Sequence, residues 1–378
     1  MIPFNKPYLT GKEMHYIYDA VQSGKLSGNG KYTKKCQHFF ETKYGFGKCL
    51  LTSSCTDALE MTALLMNIQP GDEVILPSYT FVSTANAFEL RGASLVFCDS
   101  RNDHPGIDEE KIEALITSKT KAIVVVHYAG VACDMDKVMR IAHSHGVFVV
   151  EDAAQAIDSY YYSTDKGQQL ALGSIGHFAT FSFHETKNII SGEGGMLVVN
   201  DERFYDRAEI IWEKGTNRSA FFKGGLDKYG WVDIGSSFLP SEVTAAFLWA
   251  QLEHLDIIQS RRKFLWERYE KQINLPVSFV KKPFIPVYAT NNGHIFYLII
   301  KNQDTRDQLI EFLKKEGVLS VFHYIGLEKS TYFASKYVGA SLKESDKYSS
   351  KLVRLPLYYE LEDEQLDYIV SKVNNFLQ

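Results

Sequence analysis

Ser54, Cys55 and Thr56 open the apolar stretch TSSCTDALEMTALL, Thr52 to Leu65. Small hydroxyl residues ahead of an apolar helix surround backbone N–H groups that lack intrahelical acceptors, so the segment can bind an anion or simply cap its own helix. In VVEDAAQAI, Glu151 and Asp152 end an otherwise apolar run. A carboxylate at the carboxyl end of a strand faces the crevice where open α/β sheets bind ligands. There it can pair with a protonated ring nitrogen, or it can cap the next helix. In FATFSFHETKNIISGEGGMLVV, Phe178 to Val199, Lys187 occupies an irregular turn between two apolar runs, and Gly192, Gly194 and Gly195 permit a tight backbone path. Most lysines only solvate a surface, but an enclosed one sheds its proton more readily and can attack an aldehyde. Anion cup, carboxylate and amine follow one another in the chain order that a single cofactor would need.

The elements that must position these groups alternate. EVILP (Glu73 to Pro77), SLVFCD (Ser94 to Asp99), KAIVVVH (Lys121 to His127) and GVFVVEDA (Gly146 to Ala153) read as buried strands separated by helical stretches. Between the last two, MDKVMRIAHSHG is apolar at Met135, Val138, Met139 and Ala142 and ends at Gly146, which is helical spacing with a C-terminal glycine. The pattern predicts an α/β fold with a mostly parallel central sheet flanked by helices. One long helical pattern runs from Ser241 to about Ile273, and Pro276, Pro283 and Pro286 follow it. Beyond it HIFYLII reads as a strand, TRDQLIEFLKKEG as a helix, VLSVFHY as a strand and EDEQLDYIVSKVNNFL as a closing helix. This predicts a large domain over residues 1–255 and a smaller C-terminal α/β domain over 256–378.

Composition narrows the function classes. The 378 residues carry 41 basic and 46 acidic side chains, a net charge of −5, which offers no overall attraction to nucleic acid or an anionic membrane. Cys36, Cys49, Cys55, Cys98 and Cys133 are odd in number and scattered, with no CxxC pair, which argues against a disulfide framework or a zinc site and for a reducing cytoplasm. The start MIPFNKPYLTGKE lacks a signal-peptide pattern, and no apolar run approaches the roughly 20 residues that span a bilayer. Small-molecule chemistry without a metal is the expectation.

The three chemical segments resemble the sugar aminotransferases named after DegT, DnrJ, EryC1 and StrS, a family of fold-type I pyridoxal 5'-phosphate enzymes. The resemblance extends from NKPYLTGKE near the start to FHYIGLE near residue 325. It implies that Lys187 holds the cofactor as a Schiff base, that Asp152 pairs with the pyridine nitrogen and that Gln155 approaches the phenolic oxygen. By the same resemblance Ser54, Cys55, Thr56 and Ser182 surround the phosphate and Phe81 stacks on the ring. Asn217, Arg218, His323 and Tyr324 are the implied substrate contacts, and a homodimer is the implied assembly. Two segments depart from the family pattern. GSSFL, Gly235 to Leu239, replaces a GYNYR-like run that reaches a neighbouring subunit's cofactor, leaving Ser236 or Ser237 to substitute. GLE, Gly326 to Glu328, replaces a PLH run and lacks its histidine.

Within the family, SGKLSGNG, PGDEVILPSYTFVSTANAF, VHYAGVACDMD and EKGTNRS resemble the dTDP-4-amino-4,6-dideoxygalactose transaminases. That implies transfer of an amino group from L-glutamate to a nucleotide-linked 4-keto-6-deoxy sugar, a step of lipopolysaccharide or surface polysaccharide synthesis. Three alternatives stand beside it: amination at C3, the glucose epimer as product, and a non-catalytic regulator that binds the cofactor or a sugar nucleotide. A sugar dehydratase of the same fold would carry histidine where this chain has Lys187.

Overall fold

The computed structural model describes residues 1–222, 224, 227–276 and 278–377. Its strands are β1 (Lys48–Thr52), β2 (Glu73–Pro77), β3 (Ser94–Cys98), β4 (Thr120–Val126), β5 (Phe148–Asp152), β6 (Tyr160–Ser163), β7 (Gln168–Ala171), β8 (Phe178–Ser182), β9 (Gly195–Val199), β10 (Val280–Lys281), β11 (Phe296–Ile300) and β12 (Leu352–Leu355). Seven of them form one sheet in the order β1-β9-β8-β5-β4-β2-β3. The pairs β2–β3, β2–β4, β4–β5 and β5–β8 are parallel, while β9 runs antiparallel to both β8 and β1. The chain thus forms the mostly parallel α/β sheet that the alternating pattern predicts.

The central strands are buried on both faces, which is why they read as continuous apolar runs. Successive side chains separate cleanly. Ile75, Ile123, Val125, Val149 and Phe181 enter the core on one side, while Val74, Leu76, Val124, Val150 and Phe178 enter that on the other. Helices cover each face, and their ends follow the chain chemistry. The helix Met135–His145 starts where the Asp134 carboxylate accepts from the Lys137 N–H (3.1 Å) and stops at Gly146 with φ 65°.

A second sheet, β10-β11-β12, is antiparallel and packs its own apolar cluster, including Phe296, Leu298, Leu309, Val353 and Leu366. Two readings of this half need correction. The stretch from Ser241 to Ile273 is two helices, Glu242–Leu252 and Leu255–Gln272, because His254 leaves the helical region (φ −108°, ψ 7°) without any glycine or proline to announce it. VLSVFHY is no regular strand: Val318 pairs with Ile2 and Val321 with Arg354, each as a single bridge. The N-terminal arm supplies one of those partners and β12 the other. No helix among the described residues is long and apolar enough to cross a membrane.

Candidate active site

Parallel strands bring their carboxyl ends to one edge of a sheet, and loops leaving that edge meet there. Here the edge opens into a cavity of about 760 Å³ lined by Ser54, Cys55, Thr56, Phe81, Asp152, Gln155, Ser182, Lys187, His323 and Tyr324. Ten side chains singled out in the sequence therefore converge.

Ser54 caps the helix Cys55–Leu65, its hydroxyl oxygen accepting from the Asp57 N–H at 3.0 Å. Both readings of the segment hold together, because this cap leaves the N–H groups of Cys55 and Thr56 without intrahelical acceptors. The first residue of β9 lies against them. A Cβ at Gly195 would sit 2.4 Å from the Cys55 nitrogen and 2.4 Å from the Ser54 carbonyl carbon, so only glycine allows this approach. Thr56 donates to the Ser83 hydroxyl at 2.7 Å, adding a second hydroxyl to the cup.

The two carboxylates at the end of β5 part company as strand neighbours must. Glu151 turns into the interior and accepts from His127 Nε2 (2.9 Å) and from the N–H groups of Gly173, Ile175 and Gly176. His127, the residue after β4, is thereby a structural partner. Asp152 faces the cavity, accepting from the Thr84 hydroxyl (2.7 Å) and the Ala154 N–H (3.1 Å). Burial raises its pKa, against those two hydrogen bonds and the nearby Lys187 charge. Burial also lowers the pKa of Lys187, against the pull of Cys55 and Asp152. The amine is thus pushed toward the free base that can act as nucleophile or proton carrier.

Gln155 is held by the Ala129 N–H, which donates to its carbonyl oxygen at 2.6 Å, and its amide donates to the Tyr324 hydroxyl at 3.1 Å. Tyr324 stacks on His323 with ring centroids 3.6 Å apart, and His323 Nδ1 lies 2.6 Å from the Tyr128 hydroxyl. Phe81 is 56% exposed on the cavity wall, an open ring face rather than a core aromatic.

Asn217 and Arg218 lie elsewhere. Arg218 lines a separate cavity of about 540 Å³ with Lys25, Ser27, Asn29 and Lys48, so EKGTNRS and SGKLSGNG meet there rather than beside Lys187. Ser236 and Ser237 are exposed and line neither cavity. Glu328, which stands in the GLE segment, is buried and accepts from the Ser78 hydroxyl. It points away from the main cavity and does not stand in for the missing histidine. Sequence reading missed Thr84, Ser83, His294 and Arg354. Thr84 and Ser83 lay inside the quoted PSYTFVSTANAF run, and an arginine in the apolar run KLVRLPL was a visible anomaly.

A helix start with open N–H groups, a glycine-tight floor, an inward carboxylate and an amine of lowered pKa fit a phosphate, a ring nitrogen and an aldehyde. The chain matches the DegT/DnrJ/EryC1/StrS aminotransferase family over residues 7–374. It belongs to that family. This aminotransferase is 31% identical to the spore coat polysaccharide biosynthesis protein SpsC of Bacillus subtilis, covering 100% of this chain and 97% of SpsC. It is 32% identical to the GDP-perosamine synthase of Escherichia coli O157:H7, with 99% and 98% of the two chains covered. Spr1654 from Streptococcus pneumoniae, solved in its PLP form, superimposes with a TM-score of 0.88 at 26% identity, over 99% of this chain and 98% of that one. The enzyme is a pyridoxal phosphate-dependent sugar aminotransferase.

Proposed function

We propose that the enzyme transfers the amino group of L-glutamate to C4 of dTDP-4-keto-6-deoxyglucose, giving dTDP-4-amino-4,6-dideoxygalactose for surface polysaccharide synthesis in the cytoplasm. The observation that carries the reaction is the enclosure of Lys187 in one cavity with Asp152 and the helix-start cup. Sugar and stereochemistry rest on the resemblance of SGKLSGNG, VHYAGVACDMD and EKGTNRS. Two curated relatives whose names refer to a polysaccharide and to a nucleotide-linked sugar support that substrate class.

In this reading Ser54, Thr56, Ser182 and the N–H groups of Cys55 and Thr56 bind the cofactor phosphate. Phe81 covers one ring face, Gln155 donates to the phenolic oxygen and Asp152 holds the ring nitrogen protonated. Bound pyridoxal phosphate supplies an electron sink for a carbanion. Lys187 Nζ takes the proton from the α-carbon of the donor and later delivers one to C4 of the sugar. His323 and Tyr324 contact the sugar. The two substrates alternate at one site, so ping-pong kinetics follow. Residues 1–255 act as the cofactor-binding domain and 256–378 as the domain that completes the pocket. Arg218, in the separate cavity, and its neighbour Asn217 serve the substrate of a second subunit in a homodimer.

NMR analysis of the product after incubation with glutamate and a panel of nucleotide-linked 3-keto and 4-keto sugars tests the assignment. The axial 4-amino sugar on dTDP is expected. Amination of a 3-keto sugar alone, the equatorial epimer, or turnover of a GDP-linked sugar alone would reject the specific product while keeping the reaction class.

A further inference from the structure

Asn188, the residue after Lys187, is buried and fully hydrogen-bonded. Its Nδ2 donates to the Asn292 carbonyl at 3.0 Å and to Gln259 Oε1 at 2.8 Å, and its Oδ1 lies 2.7 Å from His294 Nδ1. The direction of that last bond is fixed by the others. A backbone carbonyl can only accept, so turning the Asn188 amide would set two oxygens 3.0 Å apart with no proton between them. Gln259 is fixed in the same way, because its Nε2 donates to the Ile157 carbonyl at 3.3 Å. Asn188 therefore offers oxygen to His294, and the imidazole proton sits on Nδ1. Nε2 keeps a bare lone pair. Among the described residues no group donates to it, and His294 lines the main cavity.

Burial lowers the pKa of His294 well below the ordinary range, and the charges of Lys187, Arg262 and Arg354 act in the same sense. In their charged forms those three neighbours are donors only. His294 Nε2 is thus an uncharged acceptor set among donors, and it suits a reactant that brings a hydrogen-bond donor. The amino donor brings its amine, but that nitrogen leaves it during the reaction. The sugar brings hydroxyls that pass through the reaction unchanged, so a fixed acceptor can hold them in substrate and product alike. Asn188 joins the imidazole to the neighbour of Lys187, which places Nε2 beside the carbon that Lys187 serves. In a 4-keto-6-deoxy sugar that carbon has two ring neighbours: C5 carries a methyl group and C3 a hydroxyl. Proximity therefore selects the C3 hydroxyl.

We propose that His294, oriented by Asn188, accepts a hydrogen bond from the sugar hydroxyl adjacent to the ketone, so that the enzyme favours keto-sugars carrying one. The choice of C3 rests on the 4-keto reading above. The holoenzyme and its His294→Phe and His294→Gln variants are compared in separate half-reactions, each followed by the visible spectrum of the cofactor. Glutamate alone converts the pyridoxal form, and the keto-sugar that the wild type accepts discharges the pyridoxamine form. A buried hydroxyl left without its acceptor slows the second at limiting sugar roughly 10–100-fold in His294→Phe, with the glutamate half-reaction within about twofold of wild type. The loss is smaller in His294→Gln, whose amide oxygen replaces Nε2. The 3-deoxy analogue of the same sugar supplies a readout that a structural role would not move: the wild type loses a similar factor on it, and His294→Phe loses nothing further. Loss in the glutamate half-reaction, alone or equal to that on the sugar, would assign His294 to Lys187 or to the fold and overturn the proposal. An unchanged sugar half-reaction, or a His294→Phe enzyme that loses as much on the analogue as on the parent, overturns it too. So does a wild type indifferent to the missing hydroxyl, a measurement that needs no variant. If the accepted sugar carries its ketone at C3, the product assignment fails, while the analogues without the C2 or the C4 hydroxyl still decide the role of His294.

Discussion

Enclosure acts on Lys187 and Asp152 in opposite senses, lowering the pKa of the amine and raising that of the carboxyl, because in both cases it disfavours the charged form. Each group restrains the other, and Thr84 and the Ala154 N–H add hydrogen bonds that favour the Asp152 carboxylate. The result is a carboxylate with fixed partners beside an amine free to exchange its proton, a division of labour suited to one group that holds charge and another that moves protons. Lys187→Ala should therefore remove borohydride-fixed attachment of the cofactor and slow turnover by at least the roughly 10²–10⁴-fold that a positioned general base contributes. Peptide mapping that still finds the reduced adduct on another lysine would refute the assignment. Gln155 came from the family resemblance alone, whereas Lys187, Asp152 and Ser54 were legible as residues because each lies in a short local motif whose strand or turn is set by its neighbours. Arg354 and His294 were not: they come from β12 and the start of the segment leading into β11, more than 100 residues from Lys187, and only the fold carries them to the cavity.

At the scale of elements, the site depends on how β9 meets the helix Cys55–Leu65. Alternation of apolar runs made the parallel strands readable, and glycines marked the return after Lys187. Nothing in local spacing indicated that Gly195 would touch the backbone of Ser54 and Cys55, since that contact joins segments about 140 residues apart. The same blindness explains the two corrected elements. The break at His254 has no glycine or proline, and VLSVFHY has strand composition but finds only single-residue partners. Gly195→Ala tests the importance of the contact. Its Cβ would meet backbone atoms at 2.4–2.5 Å, which cannot yield as a flexible side chain would, so the helix start must move. Because open N–H groups at a helix start are the anion site, a displaced start weakens phosphate binding. The expected outcome is an apparent Kd for pyridoxal phosphate raised by about tenfold or more, corresponding to about 1.4 kcal/mol or more, with unchanged far-UV circular dichroism. Cofactor binding as tight as wild type would mean that the cup tolerates the shift or that phosphate binds elsewhere.

For the whole molecule, the proposed homodimer would account for what one chain leaves exposed. Trp231, Val232 and Ile234 are 84%, 53% and 47% exposed within four residues, immediately before the GSSFL segment. A cluster of exposed apolar side chains of this kind marks an interaction surface more often than a solvated loop. The family resemblance gives the following segment the task of reaching a neighbouring subunit's cofactor, and Ser236 and Ser237 are exposed as that task requires. If the partner is a second copy related by twofold symmetry, every interface substitution occurs twice. Replacing Trp231 by glutamate then forfeits about 2 kcal/mol of burial per site, about 4 kcal/mol per dimer, and weakens association roughly a thousandfold. Analytical ultracentrifugation should show the wild type at twice the chain mass and Trp231→Glu dissociating at concentrations where the wild type stays paired, with activity falling along the same concentration curve. Adding excess Lys187→Ala protein, which is inactive but has an intact Trp231 surface, should restore activity to Trp231→Glu through mixed dimers, since each active Lys187 would regain a neighbouring GSSFL segment. Full activity in a monomeric Trp231→Glu enzyme would show that one chain forms a complete site and that the exposed residues serve another purpose.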